Sequence, residues 1–454
     1  MKKLILIFCA LFTLQLCYTQ IIPDEDYIQE QMAIRHVPGL SAVVIIDDSV
    51  YWNGNFGFMN LEDSLPVHDS TLFNAFSIGK SVTTSCIMQL WDKGLLELDQ
   101  NINDILPFYL INTRNDQDSI TPRMLMSHTS SLKEPDYVSY FLYGDPTDEL
   151  GFFVENYYTA SGSYYSYQNF SNNYPGTWFH YCNHAMGLLG YLAEPILGQP
   201  FSQFAKDSLL TPLEMNKSAW FLDELDMSKL ATGYEYVSGN YEPWGHLGHP
   251  AYPGMMLRTT ALELANYCNM LLNQGIFDST ELLSADAVDS MSTVQNPNWA
   301  GIFGATGLGM FYRQDLGNRS VWGHNGGSGA GYAAHMYYCE QEGTGVVIMT
   351  NSEQYMPDLV TYLFDFAWLV ITDISENEQR LLPNLKVYPN PANNRISLAS
   401  CQKIEEIHIY NLSGQEVVKM EGVLDIDISA FIPGIYILEA RTEDGVMRKK
   451  FVKR

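Results

Sequence analysis

Basic side chains are scarce. The 454-residue chain carries 25 lysines and arginines against 52 aspartates and glutamates, a formal net charge of -27. No basic cluster stands out before the last few residues, and a phosphate backbone needs a positive footprint. Nucleic acid is therefore excluded as a partner, and the ordinary consequence of the charge is solubility. Cysteine is sparse too, with seven in all. After an N-terminal leader the remaining ones are Cys86, Cys182, Cys268, Cys339 and Cys401, odd in number and widely spaced. That is neither a disulfide framework nor a zinc motif, and they read as buried small hydrophobes. Long apolar runs are missing: nothing beyond the leader reaches the roughly twenty residues of a membrane span. The mature chain is not expected to be an integral membrane protein. Internal repeats and low-complexity tracts are absent as well.

What is present is enough for about two or three domains and a sizeable core. Residues 1–19 read as a secretory signal: Lys2 and Lys3 open it, and Leu4 to Leu16 form an apolar run too short to span. Cleavage is expected near Thr19 or Gln20, and Cys17 follows Leu16 rather than a small residue, which argues against a lipid anchor. Gly39 to Ile46 reads as a buried strand paired back by Val50-Tyr51-Trp52 across a polar turn. Helical periodicity follows, and Val346 to Thr350 returns to strand before a closing helix over Leu359 to Val370. Strands, then many helices, then strands indicate an α+β domain with a mainly antiparallel sheet and a helical insert.

The chain is organised around Phe76-Ser77-Ile78-Gly79-Lys80-Ser81. Ser77 and Lys80 open an apolar-periodic stretch through Val82, Cys86 and Leu90, with Gly94 as its stop. On a helix, residues three apart share a face. A hydroxyl beside an amine of lowered pKa makes an activated nucleophile. S-x-x-K arises by chance roughly once or twice in a chain of this size, and it recurs at Ser130 to Lys133, where Pro135 makes it a turn. Gly79-Lys80-Ser81 also mimics the end of a P-loop, but Asn74 stands where that motif needs glycine.

Tyr181-Cys182-Asn183 lies between a turn and a helix and offers a second proton-transfer group. The Tyr181 phenol serves as a base only if a cation such as Lys80 depresses its pKa. Asn183 can hydrogen-bond both a lysine amine and a substrate carbonyl. Tyr51-Trp52-Asn53 and Tyr167-Gln168-Asn169 repeat the spacing in a strand and in a loop. Gly323-His324-Asn325-Gly326-Gly327 is a glycine-rich edge that lets a substrate backbone approach. Its Gly327 N–H, with that of Ser77, is placed to form an oxyanion hole. Tyrosines at 157, 158, 164, 165 and 167, with Phe170, mark residues 135–175 as a solvated insert with aromatic anchors or as the aromatic wall of a cleft. His180 with His184, and His246 with His249, have zinc-like spacing, but no carboxylate completes a set. No metal and no cofactor is expected.

The order and spacing of Ser77-x-x-Lys80, Tyr181-x-Asn183 and His324-x-Gly326 resemble the serine β-lactamase and penicillin-binding-protein superfamily, most of all its class C branch. Leu125 to Ser130, Pro175-Gly176-Thr177 and Ala231 to Tyr234 agree with it. The resemblance covers roughly residues 25–370. It implies a β-lactamase/transpeptidase-like fold in which Ser77 attacks an ester, amide or lactam carbonyl while Lys80 and Tyr181 shuttle its proton. Asn183, His324, Gly326 and Gly327 would then hold the substrate and its oxyanion. Those β-lactamases usually carry lysine where His324 stands, and a histidine is charged only in part near neutral pH. The departure favours an esterase or D-amino-acid peptidase over a β-lactamase or D,D-carboxypeptidase, and predicts better lactam binding in His324→Lys. A non-catalytic surface binding protein on the same fold is the alternative of another class.

Residues 373–384 read as a polar linker between a hydrolase domain (20–372) and a C-terminal block (385–454). The block is all strand signals, with Leu424 to Ser429 alternating and turns at 411–414 and 443–445. It reads as a small β-sandwich. Lys386 to Ala392, Pro433 to Leu438 and the basic end Lys449 to Lys453 resemble the sorting domain of the type IX secretion system. That implies the secretion machinery as a partner, a secreted or cell-surface location, and removal of the domain on export.

Overall fold

The computed structural model describes residues 21–301, 304–317, 319–327, 329–381, 385–390, 392–400, 403–411, 415–442 and 445–453. The leader therefore lies outside the described residues. Two compact units divide the chain, the first ending at Trp368 and the second beginning at Leu369.

The first unit opens with α1 (Glu25–Ile34), whose N-terminus is capped by the Asp24 carboxylate accepting from the Asp26 and Tyr27 N–H groups. β1 (Gly39–Ile46) follows, buried at every position, as its unbroken β-branched run requires. β2 (Ser49–Asn60) folds back on it and β3 (Leu65–Pro66) pairs with β2. The rest of the sheet comes from the far end of the unit: β4 (Asn296–Gly301), β5 (Gly304–Thr306), β6 (Phe311–Leu316), β7 (Arg319–Gly327), β8 (Ala333–Cys339) and β9 (Thr344–Thr350). Strand order is β4-β5-β6-β7-β8-β9-β1-β2-β3, and every pairing is antiparallel. β9 closes on β1 with Leu40 opposite Thr350, so both ends of the unit share one sheet.

Helices fill the interval. The expected nucleophile helix is α2 (Gly79–Asp92), preceded by a 3-10 turn at Phe76–Ile78. Its residues from Gly79 to Leu90 are all buried, which makes it the unit's central element. Gly94 takes φ +64° and ends it, with the Gly94 N–H on the Trp91 carbonyl and the Leu95 N–H on the Leu90 carbonyl. α3 (Pro122–Met126) starts with proline behind a capping Thr121. α4 (Leu150–Tyr158) lies within the aromatic insert, and α5 (Asn183–Tyr191) packs against α2. α6 (Ala261–Leu272) lies on the sheet against β1, β8 and β9.

Most of the insert's aromatics prove to be packing anchors. Tyr157, Tyr158 and Phe170 are buried, and Tyr140 meets Phe153, Tyr157 and Tyr164 edge-on at 5.3–5.8 Å. α7 (Pro357–Leu381) runs through Leu381, into the segment read as a linker. The glutamate, asparagine and glutamine there suit a solvated helix as well as a linker, so composition did not separate the two; residues 382–384 lie outside the described residues.

In the second unit a three-stranded and a four-stranded sheet enclose one core, which includes Ile396, Ile407, Ile409, Ile428, Leu438 and Phe451. Ile426 and Ile428 point inward while Asp425 and Asp427 are exposed, the alternation read from sequence. Gly434–Thr442 and Gly445–Lys453 pair as a hairpin with Thr442 opposite Gly445; residues 443–444 between them, like 412–414 at the other expected turn, lie outside the described residues.

Candidate active site

Ser77 and Lys80 stand one turn apart where the 3-10 turn runs into α2, and the Lys80 Nζ lies 3.0 Å from the Ser77 Oγ. The approach to Ser77 is strained: Phe76 takes φ +44°, a region costly for a bulky residue. The Asn74 side chain holds the turn by accepting from the Phe76 N–H at 2.8 Å. Gly326 on β7 passes so close that a Cβ there would sit 1.9 Å from the Ala75 carbonyl oxygen. Only glycine lets β7 lie along this turn.

Lys80 is fully buried and has three oxygen neighbours: Ser77 Oγ, Asn183 Oδ1 at 2.6 Å and the Gly254 carbonyl at 2.7 Å. Burial brings its amine down to about 7, against the opposing pull of Glu134. The Asn183 orientation follows from its partners, because its Nδ2 donates to Glu134 Oε1 at 2.6 Å and leaves Oδ1 facing the lysine. Glu134 Oε2 also accepts from the His184 N–H at 2.7 Å in the first turn of α5. Burial raises the Glu134 carboxyl above the usual range.

Tyr181 hydrogen-bonds Ser77, and its ring lies 4.8 Å below the Lys80 Nζ. Burial drives its phenol well above the ordinary value despite the Ser77 bond. The condition under which this phenol would act as a base, a lowered pKa, is therefore not met: desolvation leads and the Ser77 bond does not offset it, whereas the amine of Lys80 is the group brought down. The His128 ring lies tilted against Tyr181 with centroids 4.4 Å apart and accepts from the Cys182 N–H at Nδ1, fixing the segment that carries the phenol.

His324 is buried between Phe311 (4.9 Å) and Tyr181 (6.3 Å), its Nδ1 donating to the Asn325 carbonyl at 2.5 Å. Burial, then the Lys80 charge, lower its pKa to about 3. Partial charge near neutral pH was expected from an exposed imidazole; here the ring is neutral. Its Nε2 finds no hydrogen-bond partner among the described residues.

A pocket of about 310 Å³ opens over Ser77. Glu134, Tyr181, Asn183 and Gly327 line it, with Tyr137 and Phe141 from the aromatic insert. The aromatic wall thus exists, made by two residues other than those singled out in the sequence. Of the sequence-derived site residues, Ser77, Lys80, Tyr181 and Asn183 come together; Gly327 is on the wall, whereas His324 lies behind it and Gly326 packs under Ala75. Glu134, Gly254 and His128 were not foreseen as site residues. The Tyr51 and Tyr167 copies of the motif fall in β2 and in a separate 3-10 turn. His180 pairs with Ser171 Oγ, not His184, and His184 meets His249 at 3.4 Å between Nε2 atoms. No group of three or more His, Cys, Asp or Glu disposed to hold a metal occurs among the described residues, and no described helix is long and apolar enough to cross a membrane.

Residues 25–364 match the family described as Beta-lactamase, and residues 386–454 match the Secretion system C-terminal sorting domain. Penicillin-binding protein 4 of Amycolatopsis lactamdurans is 28% identical over 343 residues, covering 72% of this chain and 85% of that protein. Protein flp of Staphylococcus aureus is 21% identical over 344 residues, 75% of this chain and 65% of its own length. Among solved structures, an octameric penicillin-binding protein homologue from Pyrococcus abyssi superimposes with a TM-score of 0.61 at 21% identity over 95% of both chains. A class C beta-lactamase gives 0.60 at 20% identity, over 77% of this chain and 95% of that one. These likenesses establish the fold.

Proposed function

The chain belongs to the Beta-lactamase family of serine hydrolases and ends in a sorting domain for type IX secretion to the cell surface or beyond; from that premise we propose that it is an acyl-enzyme hydrolase of esters or peptide-like amides, with Ser77 as nucleophile and Lys80 as its base. The oxygen neighbours of Lys80 carry this reading. Asn183 Oδ1 and the Gly254 carbonyl can only accept hydrogen bonds. An ammonium donates to all three neighbours. Once neutral, the amine keeps its two protons on the two obligate acceptors, and its lone pair is left for the Ser77 hydroxyl. A lysine with a pKa near 7 reaches that state at working pH.

The steps follow. The Ser77 hydroxyl gives its proton to Lys80 as Oγ bonds to the substrate carbonyl carbon. Tyr181, protonated and hydrogen-bonded to Ser77, relays a proton to the leaving group and is replenished by Lys80. The N–H groups of Ser77 and Gly327 receive the oxyanion. Water then attacks the acyl-enzyme and Ser77 is released. Neutral, buried His324 offers a substrate carboxylate no counter-charge, which favours the esterase or D-amino-acid peptidase reading over a β-lactamase or D,D-carboxypeptidase.

Intact-mass spectrometry tests this after mixing the protein with an aryl ester, a D-alanyl peptide thioester and a penicillin. A covalent adduct or turnover lost in Ser77→Ala is expected, greatest for the first two. No adduct and no turnover with any of them would leave a binding protein on a hydrolase fold.

A further inference from the structure

We propose that the pocket takes substrates bearing an ammonium group near the scissile carbonyl, and that Glu134 is the counter-ion that selects them. The inference rests on the reading of Ser77 as nucleophile. Glu134 is the one charged side chain on the described pocket wall. Lys80 lies buried below it, committed to its three neighbours. His324 is held neutral. An anionic substrate therefore meets a carboxylate and no cation.

Glu134 has capacity left. Oε1 accepts from Asn183 Nδ2, and Oε2 from the His184 N–H with Cys182 Sγ at 3.7 Å. Each carboxylate oxygen takes about two hydrogen bonds. A carboxylate withdrawn from water is costly unless it is paired, and when Lys80 is neutral nothing else on this wall supplies positive charge. Tyr137 and Phe141 stand on the same wall, and aromatic faces attract ammonium groups. A carboxylate that shares the wall with two aromatic rings and lies two hydrogen bonds from the Lys80 amine makes a site for an organic cation beside the nucleophile. The chain's net charge of -27 favours the approach of cations over anions.

The test is a charge series at constant shape. Phenyl acetates with 4-aminomethyl, 4-ethyl and 4-carboxy groups vary the leaving side; D-alanine p-nitroanilide against its N-acetyl form varies the acyl side. In at least one set the ammonium compound should exceed its neutral partner in kcat/KM by about tenfold or more, the range of a charge-assisted hydrogen bond, with the carboxylate lowest. Glu134→Gln should bring that ratio toward one and Glu134→Asp should restore part of it, whatever happens to the neutral rate. Should Glu134→Gln not fold, competitive inhibition of the wild-type protein decides: benzylamine should bind more tightly than benzyl alcohol, and benzoate more weakly than both. Turnover of neutral esters with no ammonium preference in either set overturns the proposal and leaves Ser77 standing. No serine-dependent turnover of any compound overturns both.

Discussion

At the residue scale the site is a contest between burial and partnership, and burial decides the protonation states. Lys80 loses affinity for its proton because its desolvation exceeds the attraction of Glu134. Tyr181 holds its proton for the same reason. Replacing Lys80 by methionine should abolish acylation measured by stopped-flow release of p-nitrophenol. Tyr181→Phe should slow it by about 10²–10⁴, the span of general acid–base catalysis, with a thermal midpoint near wild type; an unchanged rate would remove the phenol from the proton path. His324→Lys now carries a different expectation from the one its sequence position suggested. A second amine buried near Lys80 has no counter-ion, and unpaired buried charges cost several kcal/mol. Its Tm should fall by at least about 5 °C, with no gain in lactam affinity by titration; tighter lactam binding at unchanged Tm would contradict the placement of this ring. Ser77, Lys80, Tyr181 and Asn183 were legible because local motifs announce them. Glu134 and Gly254 were not: they reach Asn183 and Lys80 across 49 and 174 residues, and no local pattern records such contacts.

At the element scale, the 3-10 turn running into α2 carries Ser77 and Lys80 while β7 brings Gly327 to the pocket, and each depends on one awkward backbone position. Phe76 accepts strain so that Ser77 opens toward the pocket, and Gly326 lets β7 lie against that turn. Gly326→Ala requires the strand to move away from Ala75 and should cost about 1–3 kcal/mol by urea denaturation, with a matching loss of acylation. Gly94→Ala is the control: its Cβ meets nothing within 4 Å, so it should cost about 1 kcal/mol through its positive φ and leave kcat unchanged. Helix α2, its glycine stop, and β1 and β9 could be read from periodicity. The aromatic insert could not be resolved the same way, since Tyr157 in the core and Tyr137 on the wall have the same chemistry and differ only in what packs over them.

At the scale of the whole molecule, a hydrolase unit and a secretion-sorting unit have separate cores. The fold class followed from element order, and the sorting domain from its motifs. The segment 373–384 read as a linker is helical through Leu381, and a polar composition suits a helix as well as a linker. α7 buries Leu363, Phe364, Ala367 and Val370, so a chain ended after Leu381 should keep the kcat/KM of the full protein on aryl esters. Loss of activity would show that the sorting unit supports the hydrolase.

The acylation rate as a function of pH tests the central claim most directly. With Lys80 near 7, the rate constant for p-nitrophenol burst should rise with pH as the amine loses its proton, be about tenfold below plateau at pH 6, and level off above about pH 8. Tyr181→Phe should lower the plateau without moving the inflection. A rate flat between pH 5 and 9, or an inflection near 10 that disappears with Tyr181, would contradict a neutral lysine as the base of Ser77.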